Sequence, residues 1–130
     1  MTVILDACQT TVPVGFEADC TVAESVGDPV VFSKTDDRMV ESLSTNVYDT
    51  RLVVGVIRSK SSDTRCMVVT MGILEDITSG LSRGAPLWVG TSGELTTTRP
   101  ASGHWQILGN AISSTSISVN IEMRKVITSP

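Results

Sequence analysis

The stretch Gly27-Asp28-Pro29-Val30-Val31-Phe32 decides the fold, because Gly84-Ala85-Pro86-Leu87-Trp88-Val89 repeats its pattern 57 residues later. Further along each copy, Leu52-Val53-Val54-Gly55-Val56-Ile57 is matched by Ile107-Leu108-Gly109-Asn110-Ala111-Ile112. Glycine permits a tight or left-handed turn, and proline suits the first residue of a strand because it has no N–H to donate. A half of roughly 50–55 residues struggles to bury its own core. The pattern therefore predicts one domain of two interlocked halves, about 17–73 and 74–126.

The runs between the turn signals have the length and composition of β-strands. Ile117, Val119, Ile121 and Met123 alternate with polar residues, which is typical of a half-buried strand. The nearly apolar runs 51–57 and 66–71 are predicted to be central strands, joined by a polar hairpin tip over 58–65. The nearest helical candidate, Leu74 to Leu81, amounts to a turn or so. The sequence predicts an all-β protein, a single compact barrel or sandwich of about eight to ten short antiparallel strands.

Composition and length describe one domain with an aliphatic core. The chain has 130 residues, of which 41% are hydrophobic but only 4% are aromatic, so Val, Ile, Leu and Met are expected to fill the core. Residues 1–16, broken by Pro13 and Gly15, are predicted to be an extended N-terminal arm. Residues 17–130 are predicted to form the single β domain with the internal repeat.

Charge, leader sequence and cysteines exclude several classes of protein. The net charge is −4, and an acidic surface repels phosphate backbones, so no direct contact with nucleic acid is expected. The N-terminus has no positively charged leader, and no apolar run reaches the length of a membrane span. The chain is therefore expected to be made in a cytoplasm, away from membranes. Cys8, Cys20 and Cys66 have no C-x-x-C spacing and are predicted to be free thiols.

Motifs for catalysis or metal binding are weak. Gly80-Leu81-Ser82-Arg83-Gly84 matches G-x-S-x-G, but that motif needs a preceding strand and a following helix to expose the serine, and a β run with Pro86 follows here. His104 is the only histidine, so a multi-histidine metal site is excluded. The acidic pairs Asp36-Asp37 and Glu75-Asp76 are interpreted as solvated turns. We expect no catalytic residues, metal or cofactor, and structural roles for Ser82 and His104.

Two groups of residues are candidates for contact with a partner. Arg58, Lys60 and Arg65 lie in the predicted hairpin tip and could contact an acidic surface, or could simply keep the tip soluble. Trp88 and Trp105 both lie in the second half, and tryptophan is enriched in binding hot spots. Core filling is the alternative for the tryptophans.

Several segments, taken in order, resemble small virion structural proteins of tailed bacteriophages. They are Val54 to Cys66, Ser79 to Val89, Gly93 to Pro100, and Ser102-Gly103-His104, and the resemblance covers about residues 20–126. It implies a β module like those of capsid decoration (cement) proteins, with similar modules in head fibres, necks and tail fibres. The family has no catalytic residues to carry over.

The leading hypothesis is a non-enzymatic virion protein, made in the host cytoplasm, that decorates and stabilises the assembled phage head. Its expected partners are the major capsid protein or other virion proteins, and it is expected to be a homo-oligomer, with a trimer favoured. The arm contains Val3, Ile4 and Leu5. Its first dozen residues can reach about 40 Å at ~3.3 Å per residue and could add a strand to a neighbouring subunit. The alternatives are a tail-fibre, neck or baseplate component, or a carbohydrate-binding β domain with Trp88 and Trp105 as a stacking platform.

Overall fold

The described part of the chain is built of strands. A computed structural model describes residues 13–43, 51–101, 103–122 and 125–128, and within these ranges it contains eleven strands and no helix. This confirms the predicted all-β class. The strands are β1 (Val14–Asp19), β2 (Pro29–Phe32), β3 (Val40–Glu41), β4 (Gly55–Ser62), β5 (Arg65–Leu74), β6 (Trp88–Val89), β7 (Leu95–Thr96), β8 (Gly103–Gln106), β9 (Gly109–Ala111), β10 (Ile117–Asn120) and β11 (Lys125–Thr128).

Seven of these strands form one antiparallel sheet that curls into a half-barrel. The order is β3-β2-β4-β5-β10-β9, with β1 also paired to β5; β6 pairs with β7, and β8 pairs with β11. A parallel bridge joins Asp19 to Met39, and the Asp19 amide donates to the Arg38 carbonyl at 2.9 Å. The end of β1 therefore meets the chain just before β3, although the two strands lie at different positions in the sheet order.

The predicted arm and the predicted hairpin tip differ in extent from the observed strands. Val14, Gly15 and Phe16, assigned to the arm, belong to β1, and residues 1–12 of the arm lie outside the described residues. In the hairpin, strand pairing continues through the polar tip as far as Ser62 and Arg65, so the turn is only Asp63-Thr64. Polar side chains are compatible with a strand here because they point into solvent while the backbone stays paired.

Backbone hydrogen bonds of the first half recur in the second half at the offsets found in the sequence. Each Gly-x-Pro proline pairs with a later strand of its own half. Pro29 faces Val56 in β4, and Pro86 faces Asn110 in β9. The matched bonds are Gly27 N to Ile57 O (2.8 Å) with Gly84 N to Ala111 O (2.7 Å), and Val54 N to Val30 O (2.9 Å) with Leu108 N to Leu87 O (3.0 Å). These bonds support the predicted repeat, and the duplication of the complete halves stays a prediction.

The core is aliphatic, as composition predicts. The larger cluster is formed mainly by valines and leucines of both halves, and a smaller one is formed by Ala18, Cys20, Val30, Val40, Ile57, Cys66 and Val68. The three methionines in the described ranges do not contribute to the core as expected, since Met39 and Met67 are half-buried and Met71 is exposed. The two phenylalanines are also outside the fully buried set: Phe16 is half-buried against the smaller cluster, and Phe32 is 52% exposed.

A buried glutamine in β8 links the backbone at Val53 to the backbone at Glu122, which lies shortly before β11. The Gln106 side chain is 1% exposed; its Oε1 accepts from Val53 N at 2.7 Å, and its Nε2 donates to Val53 O at 3.0 Å and to Glu122 O at 2.8 Å. The Gln106 amide therefore pairs with the backbone N–H and C=O of Val53, as a neighbouring strand would. Without it, this donor and acceptor would be buried without partners.

Replacing Gln106 with leucine should destabilise the domain by about 3 kcal/mol, because it leaves the buried Val53 groups unpaired while the volume stays similar. Urea unfolding of the purified chain measures this free energy. Asn110→Leu, at an exposed position of β9, is the control and should change stability little. A Gln106→Leu protein as stable as the parent would show that this amide does not hold the segments together.

Replacing Gly109 with alanine should cost about 2–3 kcal/mol, because a Cβ at this position would overlap the carbonyl oxygen of Ser118 and the residue has a φ of 142°. Gly80→Ala is the matched control, since Gly80 also has a positive φ, 78°, but open space around it. It should cost only about 1 kcal/mol, from backbone strain. Equal losses for the two variants in urea unfolding would contradict the close approach at Gly109.

Candidate interaction surfaces

The predicted contact residues do not form one site in the structure. Val3, Ile4 and Leu5 lie outside the described residues. Arg58, Lys60 and Arg65 belong to the β4–β5 hairpin, whereas Trp88 and Trp105 lie in β6 and β8, in separate two-stranded sheets.

Lys60 holds a loop of its own chain. Its Nζ donates to the carbonyl oxygens of Thr21 at 3.0 Å and Glu24 at 2.8 Å. The carboxylate of Glu24 is buried and accepts from Thr21 N at 2.9 Å and Thr21 Oγ1 at 3.0 Å. Lys60 thus organises the turn after β1, and its ammonium is already engaged.

Arg65 is also engaged within its own chain. Its guanidinium bonds to Asp19 Oδ1 at 2.8 Å and, more loosely, to Glu17 Oε2 at 3.3 Å. These hydrogen bonds, first from Asp19 and then from Glu17, raise the pKa of Arg65 above its ordinary value. The pairs cross from β5 to β1 on an exposed face, so they orient the two strands and add little stability.

Arg58 differs from the other two cations of the hairpin. Its side chain is exposed on β4 and lines an open cavity of 340 Å³ together with Pro13, Ile73, Leu74 and Glu75. Arg65 is also partly exposed and lines a second cavity, but its guanidinium is in addition bonded to Asp19 and Glu17.

The tryptophans are half-buried and one of them has its ring covered on one side. The Trp105 indole N–H donates to the Pro100 carbonyl at 2.7 Å, and the Arg99 guanidinium carbon lies 4.2 Å from its ring centroid. This cation–π contact occupies a face that a sugar would need for stacking. Trp88 lies in β6 opposite Thr96.

Sequence reasoning missed an apolar groove around the two phenylalanines, called here the Phe16–Phe32 groove. The rings of Phe16 and Phe32 have centroids 5.7 Å apart and are tilted by 34°, and Phe32 is 52% exposed. The groove has a volume of 360 Å³, with Val54, Met71 and Ile121 as its other apolar lining and Thr70 and Asn120 as its polar lining. The alternation of Val14, Phe16 and Ala18 with Gly15, Glu17 and Asp19 was a sequence signal for β1 and could have found it.

Asp28 is a half-buried carboxyl immediately before β2. Burial raises its pKa, and Glu24 and Glu94 add to the increase, while a hydrogen bond from Ser25 N at 2.9 Å opposes it. A raised pKa in the folded state means that this group stabilises the fold at pH values below its unfolded pKa. That contribution is lost as the pH rises through the folded pKa.

Ser82 and His104, the candidate catalytic residues of the sequence, do not lie in the structural context that a nucleophile elbow or a triad requires. Ser82 is exposed in a loop, with its amide donating to Thr97 Oγ1 at 3.0 Å, and the residues before it form no strand. The backbone of His104 lies in β8, and its side chain is outside the described part. Among the described residues no three His, Cys, Asp or Glu side chains are grouped to hold a metal ion. The same residues include no helix that could cross a membrane.

Two of the three cysteines are buried thiols in the smaller core cluster. Cys20 and Cys66 are free and are 1% and 2% exposed. Burial, together with the hydrogen bond to Cys20, raises the pKa of the Cys66 thiol to about 12. Cys8 lies outside the described residues.

In the native protein at pH 8, Cys20 and Cys66 should resist iodoacetamide, because they are inaccessible and Cys66 is not a thiolate. After denaturation without reductant, all three cysteines should be alkylated, as peptide mass spectrometry can establish. One free thiol per denatured chain would reveal a disulfide, and rapid native labelling of Cys66 would contradict its burial.

Comparisons with known proteins add no relatives. No protein-family model matches the chain, and no curated protein is significantly similar to it.

Proposed function

We propose that this chain is a non-enzymatic bacteriophage virion structural protein, a capsid decoration protein that binds and stabilises the assembled head. Its partners are the major capsid protein or other virion proteins, and it acts in the virion as a homo-oligomer, with a trimer favoured. The proposal rests on the resemblance to phage virion proteins, and the observation that carries it is the Phe16–Phe32 groove.

The groove supports a role in protein contact because it exposes large apolar side chains on a small domain. Phe32 is 52% and Met71 is 56% exposed, and Val14, opposite Met71 in the sheet, is 61% exposed. Contiguous exposed apolar surface of this kind is typical of protein–protein interfaces. The two ring systems also place aromatic residues, which are enriched in hot spots, at its centre.

The mechanism is thermodynamic linkage. A protein that binds the assembled lattice, but not its separate subunits, stabilises the lattice by mass action. Oligomerisation strengthens such binding, since several weak contacts to a repeating surface act together. The net charge of −4 makes direct contact with packaged nucleic acid unfavourable.

The alternative functions would use either the same groove or the two tryptophans. A tail-fibre, neck or baseplate component would use the same apolar groove for contact between protein subunits, on a different part of the particle. A carbohydrate-binding domain would need an open aromatic platform, and the Trp105 ring carries Arg99 on one face. The groove therefore favours the protein-binding function.

Co-sedimentation with purified phage heads tests the proposal. The parent protein should pellet with heads in a saturable, stoichiometric amount, and deletion of residues 2–11 should weaken binding about tenfold or more, since an extended segment contributes bonds only once it lies on a partner. Ser82→Ala, an exposed loop substitution, is the matched control and should bind like the parent. The deleted protein should keep its far-ultraviolet circular dichroism.

Absence of the parent protein from pelleted heads, with binding to isolated tails instead, would move the protein to the tail. Binding to neither, with tryptophan fluorescence quenched by oligosaccharides, would favour the carbohydrate-binding domain. A hydrolytic activity that Ser82→Ala abolishes would overturn the non-enzymatic proposal.

A further inference from the structure

The Phe16–Phe32 groove lies where the N-terminal segment leaves the domain. In the register of the sheet, Val14 faces Met71, and Pro13 packs against Gly72. Met71 is both the partner of Val14 and part of the groove lining. The chain therefore departs from one end of the groove.

The direction of β1 leads the segment away from its own groove. β1 runs from Val14, opposite Met71, to Asp19, opposite Arg65, so the chain preceding Phe16 heads past Met71 towards Gly72. Proline restricts the backbone at position 13, and the residue before a proline favours an extended conformation. To cover the groove of its own chain, the segment would have to reverse direction immediately beyond this point.

The length and composition of the segment suit a neighbouring groove. Residues 1–12 span up to about 40 Å when extended, which is more than the width of a domain of this size. Val3, Ile4 and Leu5 form its apolar run, and its single charged side chain is that of Asp6. The groove is likewise mainly apolar, and the hydroxyl of its Thr70 is already engaged, donating to Val14 O at 3.0 Å.

We propose that Val3, Ile4 and Leu5 of one copy of this chain bind in the Phe16–Phe32 groove of a second copy. Burying these three side chains against two aromatic rings and Met71 supplies the contact, and the exit of the segment beside its own groove allows subunits to exchange segments around a symmetry axis. This inference adds to the proposed function the contact that holds the oligomer together. It rests on the proposed function only in taking the oligomer to be the form that acts.

The test uses the isolated protein without phage heads. A negative result therefore concerns the contact between copies of the chain and not the binding to heads. Light scattering coupled to size-exclusion chromatography should give a multiple of the 13.8 kDa chain mass for the parent. Deletion of residues 2–11, and separately Met71→Asp, should reduce the mass to that of one chain. Phe32→Asp gives a second groove variant if Met71→Asp does not fold. Val22→Ser, a control at a position 74% exposed and outside the groove, should leave the mass unchanged.

Mixing the two defective proteins gives the decisive measurement. The Met71→Asp protein keeps an intact segment, and the deleted protein keeps an intact groove, so an equimolar mixture should associate although neither protein does so alone. A monomeric parent, an oligomer unaffected by both changes, or a mixture that stays monomeric would each overturn the proposal. A segment bound in the groove of its own chain would appear as the first of these outcomes.

Discussion

The sheet depends on β5, which carries backbone hydrogen bonds along both of its edges. β1 pairs with Arg65 to Met71 on one edge, and β4 and then β10 pair along the other. The strands can approach this closely because glycines lie at the contact points. A Cβ at Gly15 or Gly55 would collide with the backbone of Val68 or Val69. Loss of pairing along β5 would therefore separate the first half of the domain from the second.

The curl of this sheet determines which residues are buried and which are exposed. Bringing the end of β1 to Met39 encloses the small cluster that contains Cys20 and Cys66. Phe16 packs against this cluster and contacts Phe32, and the two rings border the groove. A core of small aliphatic side chains tolerates such tight curvature, and the aromatic side chains remain for the surface. The apolar groove is thus a consequence of the way the sheet closes.

Contacts within the chain explain why the basic residues of the β4–β5 hairpin do not form a basic surface patch. Two of its three cations bind their own chain: Lys60 reaches the carbonyls of the turn after β1, and Arg65 bonds to two carboxylates of β1. Both sets of contacts join the hairpin to residues of β1 or its following turn, which are distant along the chain. The charge of the hairpin is therefore largely used to hold β1 and its following turn.

The sequence by itself determined the all-β class, the central β4–β5 hairpin and the alternation of β10, because these follow from local composition and period-two patterning. Turn chemistry also located both Gly-Asp-Pro and Gly-Ala-Pro corners, since glycine and proline act on the backbone of their own segment. Only the tertiary structure decided that Gln106 pairs with Val53, that Lys60 and Arg65 bind groups of their own chain, and that Phe16 contacts Phe32. Each of these contacts joins residues distant along the chain. Such pairings depend on the register and curl of the whole sheet, which no local pattern of residues encodes.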